Sequence, residues 1–130
     1  MLKRGFKQLL AEANAEVKTL SADDAKALHS SAGSSAVFID LRDGAELAKG
    51  GKIPGAVHVP RGMLEFKADP DSPFHEAAIG EDKKLVLYCA SGGRSALAAK
   101  TLQDMGFADV CHVGGGFAAW GEAGGDSEAS

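Results

Sequence analysis

A chain of 130 residues fits one domain, which at this size buries roughly two-thirds of the surface its unfolded form exposes and needs no staples to fold. Its 45% hydrophobic and 25% charged content excludes disorder across the whole length, and a net charge of -4 leaves no basic field to hold a phosphate backbone, so nucleic acid is not an expected partner. Two cysteines, Cys89 and Cys111, fall short of a disulfide framework, and no apolar run approaches the roughly 18 residues of a membrane span, so reduced thiols, a cytoplasmic setting and no membrane partner are expected.

Residues 1–16 read as a helical extension, because Gly5 to Glu16 is rich in Ala, Leu, Lys and Glu. Val17 to Leu20 suits a short strand. Ser21-Ala-Asp-Asp24 then offers an N-cap hydroxyl with a carboxylate three residues on, predicting a helix over Ala22 to Ser30. Ala36-Val-Phe-Ile-Asp40, bounded by Gly33-Ser34-Ser35, is a compact run of β-formers of the kind covered on both faces, and Leu85-Val-Leu-Tyr-Cys89 repeats the design. Between them the sequence predicts a short helix at Gly44 to Lys49, a turn at Ile53-Pro54-Gly55, a brief strand at Ala56 to Val59 and a Pro/Asp-rich connection at Asp69 to Pro73.

After Cys89, the loop Ala90-Ser-Gly-Gly-Arg94 leads into Ser95 to Met105, where Leu97, Ala98, Thr101, Leu102 and Met105 recur at helical spacing until Gly106 stops them. Val110 to Val113 is a further strand, and Gly114-Gly-Gly116 precedes a last helix, Phe117 to Trp120. The triple glycine lacks the lysine of a phosphate loop and reads as turn chemistry. Residues 17–121 thus form the domain and 122–130 a Gly/Ser/acidic tail expected to be disordered. Strands alternating with helices imply an α/β fold, a central, mainly parallel five-stranded sheet with helices on both faces, and ligands bind such sheets beyond the carboxyl ends of the strands.

Cys89 stands at that place. A thiol attacks as a thiolate, so a nucleophile needs surroundings that favour the anion. Free backbone N–H groups and the dipole at the following helix N-terminus, the tight turn allowed by Gly92-Gly93, and the charge of Arg94 supply them. The plain alternative, a small hydrophobe ending a strand, requires neither two glycines nor an arginine.

These residues carry a resemblance to the single-domain rhodaneses, the thiosulfate/persulfide sulfurtransferases. Asp40-Leu-Arg42 with Glu46, then Ile53-Pro-Gly-Ala-Val-His-Val-Pro60, resembles the family's first signature. Cys89-Ala-Ser-Gly-Gly-Arg-Ser95 resembles its active-site loop, and Gly114-Gly-Gly116 with Trp120 its C-terminal signature. The resemblance implies that Cys89 takes a sulfane sulfur from a small anionic donor such as thiosulfate, becomes a persulfide, and passes the sulfur to a thiol, to cyanide or to a protein acceptor, with no cofactor. It implies that Ala90, Ser91, Gly92, Gly93, Arg94 and Ser95 form the substrate-binding loop, its amides facing the outer sulfur and Arg94, Ser91 and Ser95 holding the donor. Two departures stand out: Gly50-Gly51-Lys52 replaces the histidine that usually precedes Ile-Pro-Gly-Ala, and Gly93 leaves bare a position often filled by a larger side chain.

Asp40 and Arg42 are expected to brace the loop and pair with Glu46, while Arg61 is either at the pocket mouth or a solvated surface arginine. For Cys111, core packing outweighs a resolving role. The histidines at 29, 58, 75 and 112 show no ligand spacing, so no metal is expected, and a histidine base for Cys89 has no support in the sequence. A phosphatase-like cysteine enzyme is the competing reading, but four residues lie between Cys89 and Arg94, one fewer than Cys-x5-Arg, a cradle sized for one sulfur atom. A non-catalytic binding module is the third.

Overall fold

Leu85, Val86, Leu87 and Tyr88 are buried at every position, as a strand covered on both faces must be. The computed structural model describes residues 1–31 and 35–130. The chain runs through α1 (Phe6–Glu16), β1 (Lys18–Leu20), α2 (Ala22–Ser30), β2 (Val37–Asp40), α3 (Gly44–Gly50) and β3 (Val57–His58). A 3-10 turn (Arg61–Met63) enters α4 (Leu64–Ala68), followed by β4 (Leu85–Tyr88), α5 (Gly93–Met105), β5 (Val110–Val113) and α6 (Gly116–Glu122). The five strands form one sheet in the order β1-β5-β4-β2-β3, every pairing parallel.

Side-chain alternation along the strands builds two cores. Ile39, Leu85, Leu87 and Val110 face α4 and α5 on one side of the sheet, where Leu64, Ala68, Ala98, Ala99 and Leu102 meet them. Phe38, Val86, Tyr88, Cys111 and Val113 face the other side, against Ala25 of α2 and Trp120 of α6. Burial pushes the Cys111 thiol up, the state of an inert core cysteine and not of a reactive one.

Three expectations need correction. The stretch 61–68, left unassigned by the sequence, is helical: Leu64 and Ala68 recur at i, i+4 and are buried, but exposed Phe66 between them blurs the pattern. Helix α5 starts at Gly93, two residues before the expected Ser95, because Gly92 adopts the left-handed conformation that lets the helix begin at once. The tail expected to be disordered returns to the domain: the Trp120 indole N–H donates to the Asp126 carbonyl at 2.7 Å, and Glu128 pairs backbone with Lys52 and accepts an ion pair from its ammonium at 3.2 Å. The tail's polar groups find partners on the surface, which composition alone does not show. Of the boundary Gly33-Ser34-Ser35, residues 33 and 34 lie outside the described residues.

No described helix is long and apolar enough to cross a membrane. The carboxyl ends of β2, β4 and β5 fall at Asp40, Tyr88 and Val113, so the segments that follow them come together at one edge of the sheet, which is where Cys89 lies.

Candidate active site

The turn from β4 into α5 is shaped by what its residues lack. Gly92 is the N-cap of α5 and has no side chain to cap it, so the first amides of the helix need another acceptor. The Cys89 sulfur takes that place. The Gly92 N–H donates to Sγ at 3.1 Å. Burial pushes the thiol's pKa up, but the Ser95 amide and hydroxyl and the amides of Gly92 and Ser91 pull it further down, and the net direction is downward. The anion is thus the favoured cap of a thirteen-residue helix whose dipole points the same way.

Cys89 is 1% exposed and lies on the floor of this cradle. Two roomy surface cavities, about 460 Å³ beside Leu47 and Glu128 and about 390 Å³ beside His29 and Phe38, include no residue of the 89–95 loop.

Of the loop residues singled out in the sequence, Ser91, Gly92 and Ser95 direct amides at the sulfur, while Ala90 uses its carbonyl to accept from Ala118 at 3.2 Å. The N-terminus of α6 holds the loop from behind, with the Phe117 N–H on the Cys89 carbonyl at 2.8 Å. Gly116 makes this approach feasible: it has φ +60°, and a Cβ there would run into the Cys89 carbonyl oxygen and lie 2.7 Å from that of Ala90. The triple glycine is therefore turn chemistry, as expected.

Only the first of the loop's paired glycines has a positive φ, +105°, and a Cβ on it would meet the Gly115 nitrogen at 3.2 Å. Gly93 is helical and a Cβ there meets only Leu10, at 4.0 Å. Gly92→Ala is therefore expected to lower stability by about 1–3 kcal/mol, whereas Gly93→Ala stays within about 1 kcal/mol of wild type; thermal unfolding of the two proteins checks the contrast.

Arg94 is not a free charge. Its guanidinium grips Glu46 with two hydrogen bonds, Nη1 to Oε2 at 2.9 Å and Nη2 to Oε1 at 2.8 Å. The Glu46 carboxylate also accepts the Asp43 N–H in the capping box that starts α3. The expected pairing of Glu46 with Arg42 is thus corrected: Arg42 instead closes on Asp40, Nη2 to Oδ2 at 2.7 Å and Nε to Oδ1 at 3.0 Å, and donates to the Gly51 carbonyl at 2.7 Å. Its guanidinium lies 4.3 Å from the Phe117 ring centroid, so the Asp40–Arg42 pair packs against the helix that holds the loop. Arg61 bonds Glu65 at 2.9 Å and Thr101 at 3.4 Å, linking α4 to α5, and none of its hydrogen bonds reaches the loop.

The Arg94 hydrogen bonds hold Glu46 at about 2, against burial, with the Asp43 amide assisting. A carboxyl lower in the folded than in the unfolded state stabilises fully above its unfolded value near 4.5 and loses that contribution as pH falls through about 2. Glu46→Gln should therefore cost on the order of 1 kcal/mol at neutral pH, discounted for solvent screening, with the gap to wild type closing between pH 4.5 and 2 in denaturant titrations.

Sequence reasoning missed the company of His112. This imidazole, 2% exposed, places Nδ1 2.9 Å from the Ser95 hydroxyl, itself 3.7 Å from the Cys89 sulfur. Its Nε2 lies 3.1 Å from Thr19 Oγ1 and 3.2 Å from Asn14 Oδ1. No local spacing could reveal partners 93 and 98 residues away.

A family model for the rhodanese-like domain matches residues 21–123. The chain belongs to the rhodanese-like family. It is 35% identical over 106 residues to the thiosulfate sulfurtransferase GlpE of Pseudomonas savastanoi pv. phaseolicola, covering 81% of this chain and 88% of that one. It is 33% identical over 84 residues to a sulfurtransferase of Allochromatium vinosum, covering 65% and 70%. Among solved structures, a Rhodopseudomonas palustris CGA009 protein, named as of unknown function and a possible tyrosine phosphatase, is 53% identical with a TM-score of 0.94, covering 98% of this chain and 97% of that one. The rhodanese-like domain and its sulfurtransferase relatives support sulfurtransferase activity for this chain.

Proposed function

We propose that the chain moves a sulfane sulfur through a persulfide on Cys89. The observation that carries this reading is the sulfur itself serving as the N-cap of α5, with the Gly92 amide 3.1 Å away and its pKa drawn down. With thiosulfate as donor, the Cys89 thiolate attacks the outer sulfur, an S–S bond forms to Sγ, the sulfur–sulfur bond of the donor breaks, and sulfite leaves with its electron pair. Cyanide or a thiolate then attacks the outer sulfur of the persulfide and restores the Cys89 thiolate. The negative outer sulfur is favoured by the same helix N-terminus that favours the thiolate. Ala90 and Gly93 complete the loop's main chain, and Ser91, the one exposed residue between Ala90 and Ser95, meets the incoming donor.

The name of the Rhodopseudomonas palustris relative raises phosphoryl chemistry. Two features of this chain weigh against it. Four residues separate Cys89 from Arg94, and the two terminal nitrogens of the Arg94 guanidinium are already taken by the Glu46 carboxylate, so they are not free to clasp a phosphoryl group. A cytoplasmic setting belongs to the proposal, since a reducing compartment keeps a nucleophilic thiol available. A protein or small-thiol acceptor is included in it.

The test is mass spectrometry of the protein after incubation with thiosulfate, together with thiocyanate release on adding cyanide and hydrolysis of an aryl phosphate. Gain of one sulfur atom on the Cys89 peptide, its loss to cyanide and no phosphate release are expected. Phosphate release without sulfur uptake would replace the proposal with the phosphatase reading.

A further inference from the structure

We propose that His112 receives the Cys89 proton through the Ser95 hydroxyl and holds it while the thiolate reacts. The inference rests on Cys89 acting as a nucleophile. Ser95 is fully buried, Cys89 and His112 nearly so, and the hydroxyl lies between them, 3.7 Å from Sγ and 2.9 Å from Nδ1. A proton leaving the sulfur by this route meets protein groups and no solvent.

The partners of the imidazole fix its resting tautomer. Asn14 Oδ1 can only accept, which favours the hydrogen on Nε2, with the Thr19 hydroxyl accepting beside it, and leaves Nδ1 of the neutral ring a bare acceptor. In that state the Ser95 hydroxyl proton has two acceptors to choose from, His112 Nδ1 at 2.9 Å and the Gly92 carbonyl at 3.2 Å, and the Cys89 thiol can donate to Ser95 Oγ. On ionisation the S–H bond breaks and its electron pair stays on Sγ; the proton joins Ser95 Oγ as the hydroxyl proton passes to Nδ1. No oxidant or reductant is involved. The new imidazolium then donates from Nδ1 to Ser95 Oγ, which frees the serine hydroxyl to donate to the thiolate. The same serine is therefore held toward the anion when His112 is charged and is shared with His112 Nδ1 and the Gly92 carbonyl when it is neutral.

Among the described residues, the ring's hydrogen-bond partners are neutral, Asn14 from α1, Thr19 from β1 and Ser95 from α5, and Leu87 of β4 lies in register with it across the sheet. The nearby charges are held elsewhere, Glu12 by Arg4, Glu16 by Lys100 and Arg94 by Glu46. Burial pushes the His112 pKa down, so the imidazolium is not stable alone and needs a negative charge beside it. The Cys89 thiolate is that charge, and the two groups titrate as a pair. His112 acts through Ser95 and is a positioning residue, not a group that meets substrate.

The experiment follows the pH dependence of Cys89 alkylation by iodoacetamide, read on the Cys89 peptide, in wild type, His112→Asn and Ser95→Ala. Both substitutions are expected to raise the midpoint by about one pH unit, a tenfold loss of thiolate below it. In parallel, nitrogen-15 NMR at a pH where Cys89 is alkylated rapidly should show His112 Nδ1 protonated in wild type and bare in Cys89→Ser. A His112→Asn profile that superposes on wild type, or a His112 that remains the neutral Nε2–H tautomer while Cys89 is alkylated rapidly, overturns the relay. If His112→Asn does not fold, the NMR comparison decides alone. Neither readout uses sulfur transfer, so absent thiocyanate release with a shifted profile would sink the proposed function and leave the relay standing.

Discussion

With serine in place of Cys89, sulfur transfer falls by at least ~10³-fold while the domain keeps its fold. The two halves of that result have separate causes. A serine hydroxyl is the right size to sit where the sulfur does, and the partners that surround it remain: the Gly92 amide donates to that point and the Ser95 hydroxyl accepts from it. The helix keeps a cap, so the unfolding midpoint should move by no more than about 4 °C. Chemistry is lost because a hydroxyl in this cradle stays protonated far above neutral pH, and because oxygen cannot take a sulfane sulfur and return it to a soft acceptor. Thiocyanate release and the added-sulfur mass must vanish together. Turnover that persists in the serine protein would show that the cradle around residue 89 is not where sulfur is carried.

The sheet and the cradle around Cys89 were legible in the sequence for the same physical reason: each is specified by neighbours along the chain. Ile39 and Leu87 sit in continuous apolar runs because both faces are covered, and Cys89 is followed within three residues by the glycine and helix start whose amides draw its pKa down. Elements set by distant partners were harder to read. Helix α4 is held by two small contacts on one face, Leu64 and Ala68, with Phe66 turned outward, so periodicity carried little signal. The tail found partners in Lys52 and Trp120, which composition ranks as disorder. Charge pairing failed similarly. Asp40, Arg42, Glu46 and Arg94 allow more than one pairing, and the choice depends on a three-dimensional fact, the arrival of α5's first turn beside α3, that brings Arg94 to Glu46 and leaves Arg42 to Asp40. His112 is the same case carried further: its meaning comes from Ser95, Thr19 and Asn14 together.

Asp40→Asn is expected to cost roughly 3–5 kcal/mol, the largest stability loss of any single substitution considered for this chain, because it leaves Arg42 buried without a counter-charge. The carboxylate accepts the Arg42 N–H at 3.0 Å and closes on the guanidinium from Nε and Nη2, and after burial its presence is what drives the nearby Tyr88 pKa up. An amide of the same shape supplies one acceptor oxygen where these donors need two, and its NH₂ group faces a guanidinium that cannot accept. A drop of at least about 10 °C in the unfolding midpoint is the expected reading. The damage is specific to a lost partner and not to polarity at the site, and a double variant separates the two. Arg42→Met alone strands the carboxylate and is costly, whereas Arg42→Met combined with Asp40→Asn removes both charges and should recover about half of the summed loss, as pairs in direct contact do. Additive losses would mean that Asp40 is held by Tyr88 and the backbone, with Arg42 contributing only its packing over Phe117. Since Phe117 in turn holds the Cys89 carbonyl at 2.8 Å, the same double variant reports how much of the loop's shape depends on this pair: alkylation of Cys89 should slow in the single variants and recover with stability in the double.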